Sequence, residues 1–96
     1  MPHLIWSPAA LRDVDRLHRL LAAKNRDAAQ RVVRSIREGV TALARHPDAG
    51  RPAEGMEPEF REWIIPFGRD AYLALYRHTG SDVVILAVRH GREAGY

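Results

Sequence analysis

Ninety-six residues, 46% hydrophobic and 28% charged, predict one soluble globular domain over residues 1–96 with a single modest core. No apolar run approaches the roughly 20 residues of a membrane span and no basic-then-apolar leader opens the chain, so a cytoplasmic location is expected and a membrane partner is not. Cysteine is absent, which excludes disulfides and thiol chemistry, and the net charge of +3 rests on 15 basic residues, every one but Lys24 an arginine.

His3-Leu4-Ile5-Trp6 reads as a short strand. Ser7 and Pro8 then supply an N-cap and a first-turn proline for a helix. Leu11, Val14, Leu17 and Leu21 recur at helical spacing, with Ala10 and Leu20 widening the stripe. Asp15 and Arg19 form an i,i+4 pair on the polar side. Lys24-Asn25-Arg26-Asp27 interrupts the pattern, and Asn25 caps a second helix whose stripe is Ala29, Val32, Val33, Ile36, Val40 and Leu43. Gly39 sits inside that pattern at a cost of about 1 kcal/mol relative to alanine, which suggests that the two helices approach closely there. Pro47 bounds the helix, and the short link predicts an antiparallel helical hairpin.

Residues 46–58 are rich in proline and glycine and read as a surface loop. Strand character resumes at Phe60 to Ile65, stops at Pro66-Phe67-Gly68, and returns in Tyr72 to Tyr76 and Val83 to Val88 around a His78-Thr79-Gly80-Ser81-Asp82 turn. The order is β-α-α-β-β-β: an α+β fold with the N-terminal helical hairpin on one face of a small antiparallel sheet. Alternation puts Leu73 and Leu75 on one face, and likewise Val84, Leu86 and Val88, as candidates for packing under the helices. Arg61, Trp63, Tyr72, Tyr76 and Arg89 are expected on the opposite face, a basic and aromatic surface suited to binding.

Arginine presents a planar fork that pairs with carboxylate or phosphate, so the composition fits an acidic partner, although a codon bias toward arginine has the same effect. RNA cleavage through the ribose 2′-OH needs a base, cations for the phosphate and an acid for the leaving oxygen. Arg61, Arg89, His90, Arg92 and Tyr96 contain those residue types. The five histidines are scattered with no zinc spacing, so no metal and no cofactor are expected. Gly50-Arg51-Pro52 lacks a phosphate-loop context, and no serine has a base-and-orienter pattern. Leu20 and Leu21 leave apolar surface at the end of the first helix, where a partner helix could lie.

These motifs together resemble the RelE/ParE toxin superfamily. Ile5-Trp6-Ser7-Pro8-Ala9-Ala10 is similar to the family's opening. Ala28-Ala29, then Leu43-Ala44-Arg45-His46-Pro47 with Gly50-Arg51, resemble its "L-x-x-x-P…G-R" stretch. Phe60-Arg61-Glu62, Leu75-Tyr76-Arg77 and Val88-Arg89-His90-Gly91-Arg92 resemble its later strands.

The resemblance implies the toxin of a type II toxin–antitoxin module, neutralised by a cognate, DNA-binding antitoxin encoded alongside. Leu20, Leu21, Arg31 and Arg34 are the residues expected to meet that antitoxin. RelE-like members cut mRNA on the ribosome, whereas ParE-like members inhibit DNA gyrase by binding. The position of a RelE-branch catalytic arginine is Leu73 here, and that of a lysine is Trp63. Arg61 survives, Tyr96 stands where the terminal tyrosine would be, and His90-Gly91-Arg92 is nearer to ParE. The ParE-like branch is therefore preferred, with Arg61, Trp63, Tyr72, Tyr76, Arg89 and Arg92 as target contacts. The alternatives are a ribosome-dependent endonuclease using Arg61, His90, Arg92 and Tyr96, or a non-toxic remnant serving as antitoxin partner or co-repressor.

Overall fold

The computed structural model of the protein describes residues 2–93. Strand β1 spans His3–Trp6, helix α1 Pro8–Ala22 and helix α2 Arg26–Thr41, followed by a single 3₁₀ turn over Ala42–Ala44. Strands β2 (Arg51–Pro52), β3 (Phe60–Phe67), β4 (Asp70–Thr79) and β5 (Asp82–His90) complete the chain. Both helix starts follow from their caps. Ser7 Oγ accepts the Ala10 N–H at 3.1 Å and Asn25 Oδ1 accepts the Ala28 N–H at 3.0 Å, satisfying donors that the first helical turn leaves open.

The sheet runs β1-β5-β4-β3-β2. The antiparallel meander β3-β4-β5 forms its middle, and β1 adds to β5 in parallel, so the sheet is mixed. A two-residue strand, β2, lies on β3, ending one edge at Pro52, which has no N–H to offer a further strand. Both helices cover one face. Ala10 and Leu17 of α1 and Val32, Ile36 and Val40 of α2 are buried there, each large aliphatic side chain contributing roughly 1.5–3 kcal/mol.

Which sheet residues meet the helices departs from the expectation from alternation for every candidate except Val88. Tyr72, Ala74 and Tyr76, with Val83, Ile85 and Val88, form the core under the helices. Leu73 and Leu75 lie on the other face, opposite Arg89 and Ala87. A bulge causes the change in parity along β5: Leu75 pairs with Ala87 and Tyr76 with Ile85, leaving Leu86 as the extra residue. Val83, Ile85 and Val88 can then all point inward. Helix α1 satisfies the backbone groups the bulge displaces. Ser7 Oγ donates to the Leu86 carbonyl at 3.2 Å, and the Asp13 carboxylate accepts the Val88 N–H at 2.9 Å.

Gly39 marks a close approach, but to the sheet rather than to α1. A Cβ there would stand 2.9 Å from Ile65 Cγ1. The same backbone accepts a hydrogen bond from the Trp63 indole, Nε1 to Gly39 O at 2.8 Å. Trp63 is therefore half-buried against α2 and does not belong to an exposed binding face. Among the described residues no helix is long and apolar enough to cross a membrane.

Candidate functional site

Arg61, Trp63, Tyr72 and Tyr76 share one sheet face as expected, but it is the face that the helices cover, and Arg89 lies on the other; the candidate residues gather at three places. At the first, Tyr76 reaches from the core to the loop before β2. Its hydroxyl donates to the Pro47 carbonyl at 2.6 Å and accepts the Gly50 N–H at 3.0 Å. Burial pushes the phenol above its usual range, against the smaller opposing effects of the Gly50 bond and the Arg61 charge, so it remains a neutral donor. Arg61 serves the same loop: Nη1 donates to Gly50 O at 2.7 Å and Asp48 O at 3.2 Å. Asp48 meets His78 Nδ1 at 2.9 Å, and this hydrogen bond, helped by the charges of His78 and Arg61, holds its carboxyl below the usual range. Gly50 is required because a Cβ would lie 2.7 Å from the Tyr76 ring and 2.8 Å from the Glu62 carbonyl. Tyr76 and Arg61 are loop anchors, with Tyr76 wholly inaccessible.

At the second place, the end of β5, Tyr72 packs edge-on against His90 at 5.2 Å and is itself buried. Histidine Nδ1 accepts the Arg92 N–H at 3.0 Å, which assigns the neutral ring's proton to Nε2, facing Asp70 Oδ1 at 3.5 Å. Arg92 also approaches Asp70 at 3.5 Å, but its side chain is 83% exposed. Glu93 turns back, accepting the His90 N–H at 2.7 Å and receiving Arg16 of α1 at 2.9 Å. Burial raises the Glu93 pKa, but the His90 N–H and Arg16 together outweigh it, and the carboxyl lies below its usual value.

The third place is the outer sheet face. Arg51 and Arg89 flank the largely buried carboxylate of Glu62, which pairs across β2 and β3 with Arg51. Among the expected antitoxin contacts, Leu20 is 60% exposed, Leu21 is half-buried, Arg31 pairs with Asp27 one turn earlier, and Arg34 is exposed. Leu17, Leu20, Leu21 and Tyr72 line an apolar groove of about 290 Å³ that runs to the β5 end.

A phosphate-cleaving centre built from Arg61, His90 and Arg92 is not formed by the described residues. Arg61 pairs with Tyr76 and His90 with Tyr72, on opposite sides of β4. Four residues along the strand and two strand spacings across put their backbones roughly 16 Å apart. Tyr96 lies outside the described residues. Among the described residues no three potential metal ligands come together. Sequence reasoning missed Asp13, Asp48, Glu62 and Glu93, the acids that hold this scaffold. Glu62 stood within the Phe60-Arg61-Glu62 motif, but its two arginine partners arise only from strand register.

The comparisons with known proteins agree with this architecture. A family model described as the ParE toxin of the type II toxin–antitoxin system, parDE, matches residues 4–95. The chain is 36% identical over 90 residues to toxin RelE1 of Caulobacter vibrioides, spanning 94% of each protein. To toxin RelE3 of the same organism it is 35% identical over 86 residues, spanning 90% of each. A solved chain from the chromosomal ParDE toxin–antitoxin system of P. aeruginosa shares the fold with a TM-score of 0.78 at 26% identity, covering 94% of this chain and 96% of that one. Toxins of type II systems pair with a cognate antitoxin. With two helices on a five-stranded sheet, and matched along nearly its whole length, this chain belongs to the ParE toxin family, within the RelE/ParE superfamily of type II toxins.

Proposed function

We propose that this toxin acts by binding DNA gyrase rather than by cutting RNA. One observation carries the reading: of the described residues that a ribonuclease would bring to one phosphate, Arg61 and His90 stand roughly 16 Å apart and each is engaged in the scaffold. Arg61 ties down the loop before β2, Trp63 is bonded to α2, Tyr72 and Tyr76 are buried, and Leu73 stands where a cation would be needed. Losing convergent cations removes the stabilisation that developing phosphate charge requires. Arg92, with Asp70 and His90 behind it, is the exposed charged group at the end of β5 and the residue proposed to meet the target. A cytoplasmic site of action follows from such a target.

The antitoxin is proposed to cover the groove lined by Leu17, Leu20 and Leu21, with Arg31 and Arg34 guiding its acidic residues. Leu20→Ser should weaken the complex about tenfold while leaving the toxin's own stability nearly unchanged, because Leu20 is exposed in the free protein.

The names RelE1 and RelE3 carried by two relatives favour the second reading, a ribosome-dependent endonuclease. Purified toxin added to a gyrase supercoiling reaction and to cell-free translation separates the two. Lost supercoiling with intact translation is the expected result. Cleaved mRNA with normal supercoiling would overturn the proposal, and inactivity in both assays would point to a remnant that only partners its antitoxin.

A further inference from the structure

On the outer sheet face two arginines from different strands converge on one carboxylate. Arg51 of β2 contacts Glu62 Oε1 through Nε at 2.9 Å and through a second guanidinium nitrogen. Arg89 of β5 sets Nη2 3.7 Å from the other oxygen, Oε2. Only 11% of the Glu62 side chain is exposed, against 18% of Arg89 and 59% of Arg51. The group forms the wall of an open cleft of about 470 Å³ whose rim includes Glu54 and Met56. The Arg51 fork and one nitrogen of Arg89, whose Nη1 is held by the Glu93 and His90 carbonyls, face one point, and guanidinium nitrogens so placed grip a phosphate when the point is vacant. Here a carboxylate tethered to β3 fills it, at an effective concentration that a free phosphate cannot match. A phosphodiester entering the cleft would also face the like charges of Glu62 and Glu54.

We infer that Glu62 is a specificity-determining residue: it closes the Arg51–Arg89 pair to nucleic-acid phosphate and so reserves this face for protein partners. The inference rests on the reading that the target is a protein, and it names the side chain that enforces it. A register accident would leave the carboxylate exposed beside one arginine. Its near-complete burial between two, each on a neighbouring or next-neighbouring strand, makes it the keystone of the face.

The test is binding of a fluorescently labelled, unstructured oligoribonucleotide by purified toxin, followed by anisotropy over a range of salt concentrations. Glu62→Gln should raise affinity at least tenfold over the unsubstituted protein. It should also steepen the plot of log affinity against log salt by about 0.7–1.4, the signature of one or two added phosphate contacts on a single strand. Glu57→Gln makes the same change in net charge on the adjoining loop and should leave binding unaltered. Arg51→Gln combined with Glu62→Gln should abolish the gain. Glu62→Asp keeps the charge but withdraws it by one methylene; it should show a smaller gain, and it decides the matter if the glutamine variant does not fold. The inference is overturned if neither Glu62 variant gains affinity, if Glu57→Gln gains as much, or if the gain survives loss of Arg51. Supercoiling by gyrase in the presence of the unsubstituted toxin is scored separately. Failure there removes the gyrase reading without touching the RNA-binding result.

Discussion

Removing one oxygen atom, by Tyr76→Phe, tests whether the loop between α2 and β2 is held from within the core. That oxygen donates to Pro47 O at 2.6 Å and accepts from Gly50 N at 3.0 Å, while the ring it belongs to is completely buried. Phenylalanine retains the ring packing, so the change isolates the polar contribution. Gly50 is buried, and its orphaned N–H costs about 1–3 kcal/mol. The Pro47 carbonyl is half-buried and recovers part of its loss from water, adding about 1 kcal/mol. The sum is about 2–4 kcal/mol, equivalent to roughly 10–25 °C in midpoint for a domain of this size. Urea and thermal unfolding of the isolated toxin give the value directly. Because Arg61 bonds to Gly50 O from the other side, substitutions at Arg61 and Tyr76 should be non-additive by about 0.5–3 kcal/mol. A Tyr76→Phe protein within 0.5 kcal/mol of the parent, a bound set by the scatter typical of neutral surface changes, would show that solvent replaces the hydroxyl and that the loop is not anchored there.

Asp13→Ala should cost about 1–3 kcal/mol in urea unfolding, since it leaves the buried Val88 N–H at the β5 bulge without its acceptor; Asp13→Asn keeps an acceptor oxygen and should cost less, and equal effects would refute the account in which that oxygen holds the bulge. Gly39→Ala gains about 1 kcal/mol of helix propensity but drives a methyl to 2.9 Å from the buried Ile65, at about 1–3 kcal/mol. The net change should be destabilising, and a higher melting midpoint would contradict the contact. Glu93 is held below its ordinary value of 4.5 in the folded protein, so its contribution is present above that pH and fades as pH falls through the lower folded value. Glu93→Gln should therefore flatten the acid limb of the stability curve below about pH 4.5, and parallel curves for the two proteins would rule out the combined hold of the His90 N–H and Arg16 on Glu93.

Both helices were legible because their signals are local. Ser7 and Asn25 cap where a polar side chain precedes an apolar stripe, and Ala29, Val32, Ile36 and Val40 recur at the period that the packed face demands. The runs of β1, β3, β4 and β5 were also legible, and the turns gave the β3-β4-β5 meander, but β2 lay within the expected surface loop and the parallel pairing of β1 with β5, which makes the sheet mixed, has no local signal. The faces of β4 were not. Tyr72-Leu73-Ala74-Leu75-Tyr76 is apolar at every position, so alternation contains no polar partner to say which set points at the helices. The outcome depends on the Tyr76 hydroxyl finding Pro47 and Gly50, backbone groups that no side-chain pattern encodes. On β5 the extra residue at Leu86 then shifts Val88 relative to Val83 and Ile85, and a slip of one residue exchanges faces.

The same blindness to register explains why an arginine-rich chain suggested a cationic sheet. Each sheet arginine has an acidic neighbour supplied by the fold: Arg51 and Arg89 share Glu62, Arg61 approaches Asp48, and Arg77 approaches Glu59. The basic residues of α2 are disposed differently. Arg26, Arg34 and Arg37, with Arg45 just beyond, have no ion-pair partner among the described residues, and all four are exposed. At helical spacing Arg26, Arg34 and Arg37 fall on one side of α2, away from the stripe that packs on the sheet, and Arg45 follows the 3₁₀ turn. Net charge alone would not distinguish these two sets, yet they act differently on an approaching partner. A carboxylate or phosphate reaching the sheet must displace an internal acid, while one reaching α2 meets guanidinium groups already facing solvent. Long-range attraction should therefore favour the helical side in the first encounter with an acidic partner, ahead of the contacts proposed at the α1 groove and the β5 end.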